Sequence, residues 1–372
     1  MKFSRGSFID RNDLVGFLRP EKCFIQISRK GRLMPSNNFE PFSVAKGQKK
    51  FGYMNVVDSV SVSVGIPVGV VNGQRDGPTF TVTGGLFPTE YDGVEAAARL
   101  YQSLNPPELS GKVVIVPSVN MPCFQFRTPW FNLTQSISPM DGLSINQAFP
   151  GDPNSSITRQ VAYKLFNEII LKSKYHVDLR GGDLNESHLV HTIFARGFGA
   201  EIDKTCEEMA KVVGFQYVLP STPEVYHTSK GTLINETLSR GIPSIITESG
   251  LGYRTQPLEE YVMLHVEGVV NLLKHFELLK GKPTRPKNQR FLDIEWQRVR
   301  APGPGIFHAK ADQGDQLKKG ETLGRITDID GAELWKLESP IDGVVHTMFP
   351  RRVVFTGDNL YTILQVGQPT GW

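Results

Sequence analysis

Apolar and polar residues alternate along this 372-residue chain in patterns that predict strands and helices in turn. Between residues 54 and 71, valines alternate with small polar residues, which predicts two strands joined at residues 65–67. Short apolar runs at 79–83 and 112–119 predict buried strands, and the segment 92–104 between them carries apolar residues at helical spacing. Strand, helix and strand in this order predict a right-handed βαβ unit in a mostly parallel sheet.

The same mixture of patterns continues for most of the chain. It predicts helices at 157–173, 200–213, 230–239 and 259–279, and strands at 175–179 and 244–248. The segment 120–154 is rich in proline and has no periodic pattern. Loops longer than about 15 residues inside a compact domain are usually functional, so we expect this one to border a site.

The pattern changes after a linker-like segment at residues 281–287. Beyond it, short strands bounded by glycine follow one another without a helix, which is typical of a small all-β barrel or sandwich. We therefore expect three regions: an irregular N-terminal segment at 1–50, an α/β domain at 51–285 and an all-β domain at 290–372.

Composition narrows the classes of function. Lys and Arg number 41 against 38 Asp and Glu, a formal net charge of +3, which gives no electrostatic argument for a nucleic-acid or anionic-membrane partner. No apolar run approaches the roughly 18–20 residues that a membrane span needs, and the first residues lack the apolar stretch of a secretory signal. The three cysteines are far apart and in no metal-binding spacing. These features predict a cytoplasmic protein with reduced thiols.

Candidate chemistry lies in three polar clusters, each at the end of a predicted strand. The clusters occupy residues 84–93, 178–186 and 247–250, and the long loop adds a fourth polar segment at 141–151. Taken singly, such glycines and carboxylates serve turns and helix caps. Three clusters at one edge of a sheet favour a ligand site, because open α/β sheets bind ligands at the carboxyl ends of their strands.

These clusters also carry a resemblance to a known family. The motifs GGLFPTEYDGVEA, DGLSINQAFPGD, VDLRGGDLNE and ITESG occur in the order found in the succinylglutamate desuccinylase/aspartoacylase family, which is related to the zinc carboxypeptidases. The resemblance implies a three-layer α/β/α domain with a mostly parallel sheet, followed by a β domain. It also implies hydrolysis of the amide bond of N-acyl amino acids or N-acyl diamines.

The resemblance assigns roles to individual residues. In the family, two His and one Glu hold Zn²⁺ and a second Glu is the general base. Here Glu90 matches the metal-binding Glu and Glu248 the general base, but Phe87 and Arg180 stand at the two zinc-ligand His positions. Arg keeps its proton and offers no free lone pair, so we expect no zinc cofactor.

The departures suggest that Arg180 replaces the metal electrostatically. Its guanidinium would form a two-pronged ion pair with Glu90 and could also reach Glu248, since a Glu90 left alone in the cleft would be costly. The predicted catalytic residues are Glu248, Arg180 and Glu90. The predicted substrate-binding residues are Asn146, which matches the Asn of a family Asn-Arg pair, together with Gln147 (in place of that Arg), Arg127, Asp183, Glu186 and His227.

Three readings of function remain open on the sequence. The first is an amide hydrolase that acts on a small molecule without metal. The second is a non-catalytic relative that binds a small ligand or a partner, favoured by the loss of both histidines. The third is a zinc deacylase with a rearranged site at Glu90, His188 and His191. The β domain resembles biotinyl/lipoyl carriers but has no lysine at its hairpin tip, residues 328–331, so we expect it to cover the cleft or mediate homo-oligomer contacts.

Overall fold

A ten-stranded mixed sheet forms the centre of the computed structural model, which describes residues 38–58, 63–126, 137–252, 256–284 and 286–371. The first ten strands in chain order are β1 (Lys49–Asp58), β2 (Ser63–Asn72), β3 (Arg75–Gly84), β4 (Ser110–Val116), β5 (Tyr175–Gly181), β6 (Ser187–His188), β7 (His191–Ala195), β8 (Tyr217–Ser221), β9 (Ser244–Ser249) and β10 (Arg290–Leu292). With the last strand of the chain, β19 (Val366–Pro369), the sheet has the order β1-β2-β4-β3-β5-β9-β7-β8-β10-β19. Strands β4, β3, β5 and β9 run parallel to one another and place their carboxyl ends at one edge.

The turn predicted at residues 65–67 is wrong, because these residues lie inside β2. Pro67 pairs with Tyr53 of β1, whereas the pairing of β2 with β4 begins only at Gly69. Proline has no N–H to donate, and it is tolerated in a strand where one side of the ladder is unpaired. The chain passes from β1 to β2 through residues 59–62, outside the described residues.

Helices cover both faces of the sheet. They are α1 (Tyr91–Ser103), α2 (Met121–Phe126), α3 (Ile157–Glu168), α4 (Ala200–Val212), α5 (Leu233–Leu238) and α6 (Glu259–His275). The buried residues of α1, α4 and α6 share one hydrophobic cluster, and those of α3 belong to a second. In β4, Val113 and Ile115 face the first cluster while Val114 and Val116 face the second, so the strand is buried on both sides as parallel strands are. The predicted three-layer α/β/α fold is thereby confirmed.

Three helices are shorter than the periodicity predicts, and one of them, α5, spans only Leu233–Leu238 of the predicted 230–239. The α3 helix ends at Glu168 and is followed by a separate 3₁₀ turn at Ile170–Lys172. The α6 helix ends at His275, and Glu277 adopts a left-handed conformation with φ of 59°. A non-glycine residue rarely takes that conformation, and a helix does not continue through it.

The C-terminal part of the described chain contains strands and turns without a helix, as predicted. Its strands are β11 (Gln297–Arg300), β12 (Gly305–Ala309), β13 (Gln316–Leu317), β14 (Thr322–Thr327), β15 (Glu333–Glu338), β16 (Gly343–Met348), β17 (Val353–Val354) and β18 (Asn359–Leu364). They form two sheets, β11-β18-β16-β13 and β15-β14-β12-β17, around a hydrophobic core of their own. We call residues 297–364 the β-module.

Backbone pairing joins the β-module to the α/β part at two places. Strand β6 pairs with β16, with His188 opposite Thr347, and β19 returns from the β-module to pair with β10 at the edge of the large sheet. Residues 38–372 cluster as one unit, and the boundaries predicted near residues 50 and 285 stay predictions. Of the predicted irregular segment 1–50, the first 37 residues lie outside the described part.

Candidate functional site

Arg180 is a fully buried cation at the carboxyl end of β5. Its Nε donates to Asp178 Oδ2 at 2.6 Å, and its Nη2 donates to Asn146 Oδ1 at 3.4 Å. Asp178 and Arg180 are two residues apart, and alternate residues of a strand share one face, so β5 itself sets up this ion pair. The predicted two-pronged ion pair with Glu90 is wrong: among the described residues Arg180 forms its ion pair with Asp178 instead.

Asp178 is held in turn by a chain of buried hydroxyl and imidazole groups. Thr83 Oγ1 donates to Asp178 Oδ1 at 2.6 Å and lies 2.9 Å from His176 Nε2, while His176 Nδ1 lies 2.6 Å from Ser244 Oγ. Burial lowers the pKa of His176 to about 4, so the ring is neutral and donates to Thr83 through Nε2. Both carboxylate oxygens of Asp178 are therefore satisfied, and the guanidinium of Arg180 is fixed in one orientation.

Glu248 lies between Arg180 and a histidine. Its strand β9 runs between β5 and β7, which places it opposite Arg180 on one side and opposite His191 on the other. Its Oε2 lies 3.6 Å from His191 Nε2. Burial opposes ionisation, but the field of His188 and the neighbouring histidines outweighs it and lowers the pKa of Glu248 to about 2. Glu248 is thus an ionised carboxylate at neutral pH.

Glu90 has a pKa shifted in the opposite direction. It precedes α1, is 6% exposed, and among the described residues its Oε2 has no hydrogen-bond partner. Burial raises the pKa of Glu90 well above its usual value, against the field of Arg180 and with the help of Glu248. Gly93 makes this placement possible, because a Cβ there would collide with the carbonyl of Leu179 and push α1 off β5. Glu90 therefore keeps its proton to a higher pH than a solvent-exposed glutamate does.

These groups line one cleft, whose cavity volume is about 40 Å³. Its lining residues are Phe87, Glu90, Arg180, Asp183, Glu186, His188, Tyr226, His227 and Glu248. Six of them were predicted site residues. Asn146 is not among the lining residues but contacts Arg180, which is. Gln147 is exposed to solvent and does not line the cleft. Arg127 lies outside the described residues.

Three histidines cluster behind the cleft, two from the α/β part and one from the β-module. His188 Nε2 lies 3.4 Å from Glu186 Oε1, and although burial opposes it, the field of that carboxylate raises the pKa of His188 to about 9. His191 Nε2 lies 3.3 Å from His346 Nε2, and burial lowers the pKa of both rings, that of His191 to about 4. The sequence reasoning missed Asp178 as the partner of Arg180, although the alternation of β5 could have indicated it. It also missed His346, for which no local signal exists.

The residues at the family's zinc positions do not fit a zinc ion. Glu90 is the one residue here that matches a zinc ligand of the family. The two positions that would need a His hold Phe87 and Arg180 instead, and the centroid of the Phe87 ring lies 5.3 Å from the guanidinium carbon of Arg180. Among the described residues no group of three His, Cys, Asp or Glu side chains is arranged to hold a metal, and the rearranged site at Glu90, His188 and His191 stays a hypothesis. Within the same residues no helix is long and apolar enough to cross a membrane.

The chain has a three-layer α/β/α fold with a polar cleft at the carboxyl ends of β5 and β9. The succinylglutamate desuccinylase/aspartoacylase catalytic domain matches residues 76–274, just over half of the chain, and the chain belongs to this family. The predicted family is thereby confirmed, and with it the class of protein, a hydrolase of the deacylase type that acts on an amide bond.

Particular relatives are similar over nearly the whole length. N-alpha-acetyl-L-2,4-diaminobutyric acid deacetylase of Halomonas elongata is 28% identical over 341 residues, which are 90% of this chain and 95% of the relative. The succinylglutamate desuccinylase/aspartoacylase structure from Rhodobacter sphaeroides has a TM-score of 0.76 at 26% identity and covers 90% of this chain and 99% of its own. The product-bound ectoine utilization protein EutE (DoeB) from Ruegeria pomeroyi has the same TM-score at 22% identity and covers 87% and 98%, which shows a shared fold.

Proposed function

We propose that this protein hydrolyses the amide bond of a small N-acylated amino or diamino compound without a metal ion. The observation that carries the proposal is that two carboxyl groups of one cleft, Glu90 and Glu248, have pKa values shifted in opposite directions, with Arg180 close to both. Carboxyl groups whose environments separate their pKa values in this way are the usual acid and base of a hydrolytic site.

The charge states assign a role to each group. Glu248, ionised, accepts a proton from water as the water oxygen attacks the acyl carbon. Arg180 stabilises the negative charge that develops on the carbonyl oxygen, a contribution that a fixed cation makes at low energetic cost inside a dry site. As the carbon–nitrogen bond breaks, protonated Glu90 gives its proton to the leaving amine. A proton transfer from Glu248 to Glu90 then restores the starting state.

Arg180 suits the role because it is already fixed before substrate arrives. Asp178 holds the guanidinium through Nε, Asn146 accepts from Nη2, and Arg180 lines the cleft. The amide group of Asn146 is buried beside Arg180 and Tyr226, which supports a second donor toward the same carbonyl or acyl oxygen.

The test is release of primary amine from a panel of N-acetyl and N-succinyl amino acids and diamines, measured with EDTA present. We expect turnover in EDTA, and a loss of about 10²–10⁴-fold in kcat for Glu248→Gln and for Glu90→Gln, the usual contribution of general acid–base groups. Glu95→Gln is the matched control, since Glu95 lies on the exposed face of α1, the helix that follows Glu90, and pairs with Arg99. Activity that EDTA abolishes and Zn²⁺ restores would refute the metal-free mechanism.

One observation favours a second function, binding without turnover. A carboxylate whose pKa is about 2 is a weak base that stays ionised over the whole physiological pH range, so it can bind a ligand cation without accepting a proton. In that case no substrate of the panel turns over, while a cationic acyl-amine ligand binds to the wild type and more weakly to Glu248→Gln. Isothermal titration calorimetry on both proteins separates this outcome from hydrolysis.

A further inference from the structure

A continuous chain of hydrogen bonds leaves the cleft at one carboxylate and returns beside the other. Its members, in order, are Glu186, His188, Thr347, His346 and His191, with Glu248 next to the last ring. The two middle members come from strand β16 of the β-module, and the imidazole of His346 packs edge-on against Trp296 with ring centroids 4.8 Å apart. None of these contacts is needed to explain the fold of the α/β part.

The His191 end of the hydrogen-bond chain fixes the direction of all its hydrogen bonds. His191 Nδ1 lies 2.7 Å from the carbonyl oxygen of Leu189, which can only accept, so this nitrogen carries a hydrogen. A neutral His191 then has a bare Nε2, which accepts from His346 Nε2 at 3.3 Å. A neutral His346 has in turn a bare Nδ1, which accepts from the Thr347 hydroxyl at 2.8 Å.

The Glu186 end of the hydrogen-bond chain also terminates in an acceptor. The Thr347 oxygen accepts from His188 Nδ1 at 3.1 Å, and His188 Nε2 donates to the ionised carboxylate of Glu186 at 3.4 Å. His188 therefore carries two hydrogens and a positive charge. A chain with acceptors at both ends holds one proton more than its neutral rings supply.

The extra proton has two possible positions. If each hydrogen of the chain moves along its own bond, from His188 to Thr347, from Thr347 to His346 and from His346 to His191, the charge passes to His191 and every hydrogen bond is kept. No atom other than hydrogen moves, and the number of protons is unchanged. The charge then lies beside Glu248, at 3.6 Å, instead of beside Glu186, at 3.4 Å. The pKa values of about 9 for His188 and about 4 for His191 place the charge beside Glu186 in the resting protein, so a change in the charge of one carboxylate is needed to move it to the Glu248 side.

We infer that Thr347 and His346 of the β-module form a proton relay that moves one positive charge between the Glu186 and Glu248 sides of the cleft. The role of this relay in hydrolysis rests on the proposed function: with the charge beside Glu248 the carboxylate is a weaker base, and with the charge beside Glu186 it is a stronger one. The charged and titratable groups that face the three rings are Asp183, Glu186, His227 and Glu248.

Imidazole ¹⁵N NMR of the full-length protein tests the relay without any substrate. In the wild type at pH 7 we expect a charged His188, a His346 protonated on Nε2 and a His191 protonated on Nδ1. In Glu186→Gln we expect a neutral His188, a charged His191, and a His346 whose hydrogen has moved to Nδ1. A His188 that stays charged in Glu186→Gln, or a His346 that keeps its hydrogen on Nε2, would overturn the relay.

Turnover then tests its role. We expect kcat of Thr347→Val to fall about tenfold, less than the ~10²–10⁴-fold contributed by a group that acts directly on substrate, with KM unchanged. Thr347→Ser keeps the hydroxyl and should retain the wild-type rate. Thr362→Val is the matched control, because Thr362 pairs with Thr347 on the adjacent strand. Equal rates for Thr347→Val and Thr362→Val would refute the role of the relay in hydrolysis. Absence of turnover in the wild type would refute the proposed function, and the NMR result would still decide whether the relay exists.

Discussion

The buried ion pair between Arg180 and Asp178 makes a sharp prediction about stability. Both side chains are almost completely shielded from solvent, at 1% and 0% exposure. Replacing Arg180 by Leu removes the cation and leaves the Asp178 carboxylate buried without its charge partner. Breaking a buried pair from one side costs about 3–5 kcal/mol, because the remaining charge is uncompensated.

The double variant Arg180→Leu/Asp178→Leu should be less destabilised than Arg180→Leu alone. It has no unpaired charge, although it gives up the hydrogen bond that Thr83 donates to Asp178, a contribution of about 1–2 kcal/mol. We therefore expect the second substitution to recover about 2 kcal/mol of the loss, a negative coupling typical of contacting residues.

Urea unfolding of the wild type, both single variants and the double variant measures this cycle. Circular dichroism and tryptophan fluorescence together check that one transition is followed. A loss below about 1 kcal/mol for Arg180→Leu, or a double variant less stable than either single one, would refute the assignment of Asp178 as the charge partner of Arg180.

Two further predictions follow from the site. The double variant Phe87→His/Arg180→His restores the family's two zinc-ligand histidines beside Glu90, and we expect it to hold one Zn²⁺ per chain by elemental analysis after dialysis. Arg180→His alone provides only two ligands and should hold no zinc. Equal zinc in both variants would contradict the assignment of Phe87 to a ligand position. His188, whose pKa is raised to about 9, stabilises the fold fully below its unfolded pKa of about 6.5 and loses this contribution as the pH rises through 9. The stability difference between the wild type and His188→Gln should therefore shrink, by on the order of 3 kcal/mol, between pH 6.5 and pH 9.5, and a difference that is constant with pH would show that His188 is neutral.

Much of the α/β part could be predicted because its signals are local. Alternation, short apolar runs and helical spacing identified most of its strands and helices, and the ordered motifs identified the family and a cleft lined by Glu90, Arg180 and Glu248. The failures have tertiary causes. The turn at residues 65–67 was wrong because only the sheet shows which side of β2 is unpaired at Pro67.

The charge partners were harder to predict than the residues themselves. Arg180 was expected to pair with Glu90, but the carboxylate two positions earlier on its own strand is closer and already oriented by Thr83. His346 could not be found from the sequence, because it lies 155 positions from His191 and meets it only through the pairing of β6 with β16. The roles of Asn146, Gln147, Asp183, Glu186 and His227 in binding substrate stay predictions.

The return of β19 to the large sheet has a mechanical consequence. The chain enters the β-module after β10 and leaves it into β19, which pairs with β10. Both ends of the β-module are therefore attached at neighbouring positions of the large sheet. A module attached at one end can swing away from a cleft, whereas one attached at both ends is restrained from doing so unless an edge strand first detaches. Ligand exchange is then expected to depend on the loops around the cleft mouth. Removal of residues 366–372 would leave the β-module held by its connection to β10 and by the pairing of β6 with β16.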